Sequence, residues 1–162
     1  MTKEISRKMR GIAGLMLFLG LLSGAPASAA ERGANPPGPW IVSEGRPAPW
    51  VTSLMAETLD ESMLLGSPVE FWASEVSSPS VLGCRDARYE RVQLSAEGLF
   101  QGHLPPPAES SATDLGFSTF PVPTVRVTCA TGVYDYHQVH RDKFLIAVDN
   151  VIWTLVPARS NP

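Results

Sequence analysis

The chain has 162 residues, with 13 basic and 16 acidic side chains and 44% hydrophobic residues. Residues 1–29 hold four of the basic groups and one acid, so the remainder keeps nine basic and fifteen acidic groups, a formal charge of −6. That balance disfavours nucleic acid and anionic membrane surfaces as partners and makes a basic partner electrostatically easier, while about 130 residues suffice for one core and not two.

Residues 1–29 read as a cleavable signal peptide. Lys3, Arg7, Lys8 and Arg10 precede the apolar run from Gly11 to Leu22, and Ala27-Ser28-Ala29 offers small residues for cleavage. The run spans about 12 residues, short of the roughly 20 that a membrane-crossing helix needs. The expected location is the periplasm or the medium, with no integral span after cleavage. In such an oxidising compartment Cys84 and Cys129, the only two cysteines, are expected to form a disulfide.

Residues 30–49 are rich in Pro and Gly and read as a flexible lead-in to a single β-rich domain over 50–162. Trp50 to Leu65 is the predicted helix. Val51, Leu54, Met55, Leu59 and Met63 recur at three- and four-residue spacing, between Pro49 and Gly66. From Pro68 to Val76 the apolar residues alternate, which predicts a strand; another is expected over Ala87–Leu94, and a short one at Leu99–Gln101. His103 to Gly116 contains three successive prolines, which remove ladder donors, and is expected to be a long surface loop. The stretch Leu99–Pro107 suits the capping of a barrel end or the shielding of an edge strand.

The C-terminal third alternates most clearly. Strands are predicted at Thr124–Ala130, Val133–Val139, Lys143–Val148 and Val151–Val156. Thr131-Gly132, Arg141-Asp142 and Asp149-Asn150 supply the turns. The fold class expected is mainly β: a small antiparallel barrel or strongly bent sheet of six to eight strands, ending in a meander, with one N-terminal α-helix.

Polar and aromatic side chains concentrate in Tyr134–Asp142. On a strand, Tyr134, Tyr136, Gln138 and His140 share one face and Val133, Asp135, His137 and Val139 the other. Metal ligation by His137, His140 and Asp142 is opposed by this geometry, because residues three apart on a strand point to opposite faces. Trp72, Tyr134, Tyr136 and His140 are the expected binding residues, all on predicted polar-side faces. No nucleophile elbow and no phosphate-cradling glycine loop occurs, so no catalytic residue, cofactor or metal is assigned.

Gly38-Pro39-Trp40 resembles the Gly-x-Trp that opens lipocalin barrels, and Arg159 is similar to the arginine that packs there. Size, export, acidity and the cysteine pair resemble periplasmic lysozyme inhibitors, small β-barrels that bind a basic enzyme, although their Ser-Gly-x-x-Tyr-type loop is not present. The expectation is an exported, non-enzymatic binding protein, acting on a protein partner in the envelope or a small ligand. Its sharpest form is an acidic inhibitor or immunity-type protein. The alternatives are a small exported enzyme with a His or carboxylate site, and an envelope structural module.

Overall fold

The computed structural model describes residues 35–57 and 60–158. The expected signal sequence, the start of the lead-in, Leu59 of the predicted helix and Arg159 lie outside these residues. Among the described residues nine strands form one antiparallel sheet: β1 (Pro39–Pro47), β2 (Pro68–Trp72), β3 (Glu75–Ser77), β4 (Cys84–Arg85), β5 (Arg88–Leu94), β6 (Val122–Cys129), β7 (Gly132–His140), β8 (Lys143–Val148) and β9 (Val151–Pro157). Their spatial order is β4-β3-β2-β1-β9-β8-β7-β6-β5. The mainly β, strongly bent expectation holds, with nine strands in place of six to eight.

The two marginal strands, β4 and β5, are consecutive in sequence and joined only by Asp86 and Ala87. The sheet therefore curls into a half-barrel whose margins are tied together. Cys84 on β4 is bonded to Cys129 on β6, with Cα atoms 5.8 Å apart. The Tyr89 hydroxyl on β5 donates to the Glu75 carbonyl on β3 at 2.7 Å, and the Ala87 N–H donates to the Ser74 carbonyl at 2.8 Å. A disulfide closing a loop of 45 residues contributes roughly 4 kcal/mol by restricting the unfolded chain. Burial, with Glu75 nearby, pushes the Tyr89 phenol up to about 12, so it stays a hydrogen-bond donor at the seam at physiological pH.

Alternation along the strands supplies two cores. The concave side is filled by Trp40, Val42, Val69, Phe71, Val127, Tyr136, Phe144, Ile146, Trp153 and Leu155. Trp40 meets Phe144 edge-on, with centroids 4.8 Å apart. Gly45 is required here. A Cβ at that position would lie 2.5 Å from the Trp153 ring and 2.6 Å from the Glu61 carbonyl oxygen. The convex side of β6–β9 is also covered. Leu99, Phe100, Leu104, Ala112, Leu115 and Phe117 pack there on Val122, Leu145 and Ile152. This is why Leu145 and Ile146, neighbours pointing opposite ways on β8, are both buried.

Four local expectations are corrected. Residues 39–47 of the predicted flexible lead-in form β1, which pairs with both β2 and β9. Its apolar residues Trp40 and Val42 enter the concave core, and that burial outweighs the turn-like composition around them. The long helix over 50–65 shrinks to α1 (Ser53–Ala56), followed by turns. The side chain that anchors this segment is Leu64, 2% exposed, which is not in the predicted stripe; Leu54, which is, stands 78% exposed. The chain must return from Pro47 to lie beside Ile41 at the start of β2, and the Val42–Gly66 and Val42–Ser67 backbone bonds fix that return where a long helix would overshoot. Pro68–Val76 is a hairpin turning at Ala73-Ser74, giving β2 and β3.

The fourth correction concerns residues 96–116. The expected strand at Leu99–Gln101 is part of a 3-10 segment, Ala96–Gly102, interrupted at Leu99, Phe100 and Gln101. The expected surface loop contains α2 (Ala108–Asp114), which Pro107 leads into; proline suits that entry because helix-entry N–H groups lack intrahelical partners. Ala112 on α2 is fully buried. The segment thus covers a face of the sheet, not an end or an edge.

Candidate functional site

The four expected binding residues are not brought together. Tyr136 is 1% exposed and lies in the concave core, its ring edge-on to Phe71 at 5.0 Å. Its assignment to a polar, solvent-side row is corrected: the curl of the sheet turns that face of β7 inward, and burial raises the phenol's pKa. Tyr134, on the same face, is half-buried, with its hydroxyl 3.5 Å from that of Thr131. His140 is exposed beside the Arg141-Asp142 turn, at the end of β7 away from Tyr134. Trp72 is 58% exposed at the end of β2. It flanks a groove of about 210 Å³ with Gly38, Pro39, Glu70 and Phe71.

The polar chemistry gathers instead on the opposite face of β7. His137 is fully buried. The Phe100 N–H donates to its Nε2 at 3.0 Å, so Nε2 is the unprotonated nitrogen. Nδ1 then carries the proton and donates to the Thr124 hydroxyl at 2.9 Å, which donates onward to the Val122 carbonyl at 3.4 Å. The ring also meets Phe100 edge-on at 4.5 Å. Burial pushes the His137 imidazole down to about 4, with Asp135 opposing and Arg126 adding to the shift. Two residues earlier on the same face, Asp135 is gripped by Arg126 from the adjacent strand, through Nε–Oδ1 at 2.8 Å and a second guanidinium N–H to Oδ2 at 3.0 Å. That contact holds the Arg126 guanidinium above its ordinary pKa.

Beside this network lies a cleft of about 170 Å³. One wall is the Phe100–His103 segment. Phe100 and Gln101 both have left-handed backbone, φ 49° and 59°, which costs a residue with a Cβ roughly 1–2 kcal/mol each. The conformation is held by the Phe100 N–H bond to His137, by Gln101 Nε2 donating to the Val133 carbonyl at 3.3 Å, and by His103 Nδ1 against the Phe100 carbonyl at 2.7 Å. The other wall is the Asp149-Asn150 turn between β8 and β9. Both residues are left-handed, φ 51° and 66°, the geometry of a two-residue hairpin turn matched to strand twist. Trp50 spans the two walls. Its Nε1–H donates to Asn150 Oδ1 at 3.1 Å, and its ring lies 5.5 Å from His103 and 5.7 Å from Phe100.

The sequence predicts the Asp149-Asn150 turn and sets His137 opposite the tyrosines, and of the four expected binding residues Tyr134 alone lines the cleft. Trp50 falls in the predicted helix, and Phe100 and Gln101 in a predicted strand. Among the described residues no group of three or more His, Cys, Asp or Glu side chains is placed to hold a metal ion, and no helix is long and apolar enough to cross a membrane. No protein-family model, no curated protein and no solved structure matches this chain.

Proposed function

We propose that the protein is an exported, non-enzymatic binding protein of the periplasm or the medium, and that its partner is a basic protein. The observation that carries this reading is the commitment of the two buried titratable groups beside the cleft, His137 and Asp135, while the exposed Asp149 has, among the described residues, no side-chain partner to orient it as a base. His137 has both ring nitrogens in use and stays neutral, and Asp135 is spent on Arg126. A general base needs a free lone pair within hydrogen-bond reach of the proton it takes. What these groups leave is a preformed, rigid recess with an aromatic wall, suited to holding a group. The basic-then-apolar N-terminus and the disulfide support export, and the charge of −6 over residues 30–162 supports a basic partner.

The test is capture of partners from an envelope fraction on the immobilised protein, followed by binding measurements with the purified partner across a salt series. A basic protein should be retained, and its affinity should fall steeply between about 0.05 and about 0.5 M salt as the Debye length shrinks. Retention of no basic protein, or binding indifferent to salt, would sink the reading.

A further inference from the structure

We propose that the cleft between the Asp149-Asn150 turn and the Phe100–His103 segment receives one guanidinium group, presented by an arginine of the partner. This rests on the binding reading above. Size comes first: about 170 Å³ accommodates a single side-chain head and falls below the roughly 300 Å³ at which pockets begin to enclose drug-sized molecules.

The aromatic wall comes next. Trp50 is fixed by its hydrogen bond to Asn150 and by the rings of Phe100 and His103. An indole face attracts a cation, and a planar guanidinium stacks on it where an ammonium cannot. Charge then sets the sign of the occupant. Two carboxylates line the cleft, but Asp135 is neutralised by Arg126. Asp149 is exposed, and among the described residues it makes neither a side-chain hydrogen bond nor an ion pair. It is the acceptor left over, on a turn that also positions the residue steadying Trp50.

Rigidity completes the case. Two adjacent strained residues, Phe100 and Gln101, form the facing wall, and backbone strain persists where surrounding structure over-determines it, as at ligand clamps. The other recesses lack this combination. The groove at Trp72 has Glu70 but a single exposed ring, and the cavity of about 380 Å³ beside the disulfide already contains Arg85.

The test is a titration of the 15N-labelled protein, expressed with its own N-terminus, with N-acetyl-arginine amide. Saturable shifts are expected at the Trp50 indole N–H and the Gly102 and Asn150 amides. The uncharged isostere N-acetyl-citrulline amide should leave them in place. Asp149→Asn, which keeps a residue type tolerant of left-handed backbone, should weaken binding at least about fivefold while the rest of the spectrum stays unchanged. The proposal is overturned by no saturable shift, by an equal response to the citrulline amide, or by an Asp149→Asn variant that binds as well. A response to N-acetylglucosamine with none to the arginine amide would overturn it in favour of a sugar site. Failure here alongside salt-sensitive capture of a basic protein would remove the cleft as the contact and leave the broader reading standing. An arginine-amide response without any captured protein would do the reverse.

Discussion

On one face of β7, Tyr134 and Tyr136 point into the concave core, where Tyr136 meets Phe71; on the other, Asp135 and His137 meet Arg126, Thr124 and the backbone of Phe100. Both faces are buried, yet they are held by different physics. The tyrosine face is held by area removed from water and by close fit, as Gly45 under the Trp153 ring shows. The histidine face is held by hydrogen bonds, each of which must be made because its groups are out of water. The difference teaches where to look for function. The face held by packing offers a ligand only Tyr134, at the margin where it reaches the cleft. A face held by polar satisfaction can fix strained backbone beside an open recess, and it is also the face that pH can reach.

The strongest way to break the comparison is Trp153→Ala. Trp153 is fully buried on the concave side, and deleting so large a side chain should cost about 3–5 kcal/mol in chemical denaturation. A cost near 1 kcal/mol would mean that the concave side is not close-packed.

Next in size is the acid response of the histidine face. His137 sits at about 4 in the folded protein against an ordinary value of 6.5. As pH falls, the unfolded chain takes up this proton first. The neutral histidine's stabilisation is therefore complete above about 6.5, declines on the way down to about 4 and is then lost, a total of about 3 kcal/mol. Denaturation midpoints between pH 4 and 7 should show that slope in the parent protein and a flatter one in His137→Gln, whose side-chain oxygen can still accept from Phe100. Equal slopes would assign the acid sensitivity to other groups.

The smallest effect sharpens the comparison most. Asn150→Gly gives the turn an Asp-Gly pair, which suits its left-handed geometry, so stability should change by less than about 1 kcal/mol. The Trp50 indole N–H nonetheless loses its acceptor, and its resonance and solvent-exchange rate should shift. An unchanged indole signal would detach Trp50 from the turn.

The legible parts of the fold were those fixed by local alternation. β6 to β9 follow from runs such as Lys143–Val148 and from turn pairs such as Asp149-Asn150, because strand period and turn chemistry are short-range. The disulfide was legible from there being only two cysteines. The 50–65 stretch misled because helical spacing reports a face only if something covers it, and Leu54 is left uncovered. Of the site only Tyr134 was legible, because the other parts are distant in sequence: Trp50, Phe100, Asp135 and Asn150 meet only once the sheet has curled and the 96–116 segment has folded over it. The one available hint was His137 between Asp135 and Val139 on the face away from the tyrosines. Nothing local said that Thr124 and the Phe100 N–H would occupy both of its nitrogens.

The pairing of β1 with β9 also bears on how the molecule is made. β9 runs along the whole of β1, whereas β2, which follows β1 in sequence, pairs with it only over Pro39–Ile41. β1, the first of the described strands to be synthesised, thus finds its main neighbour in β9, the last of them and more than a hundred residues later, and such long-range closure is slow. Until that final strand emerges, the sheet can grow from the meander side but cannot be completed through its middle. A growing chain of this design cannot complete its sheet until β9 has been made.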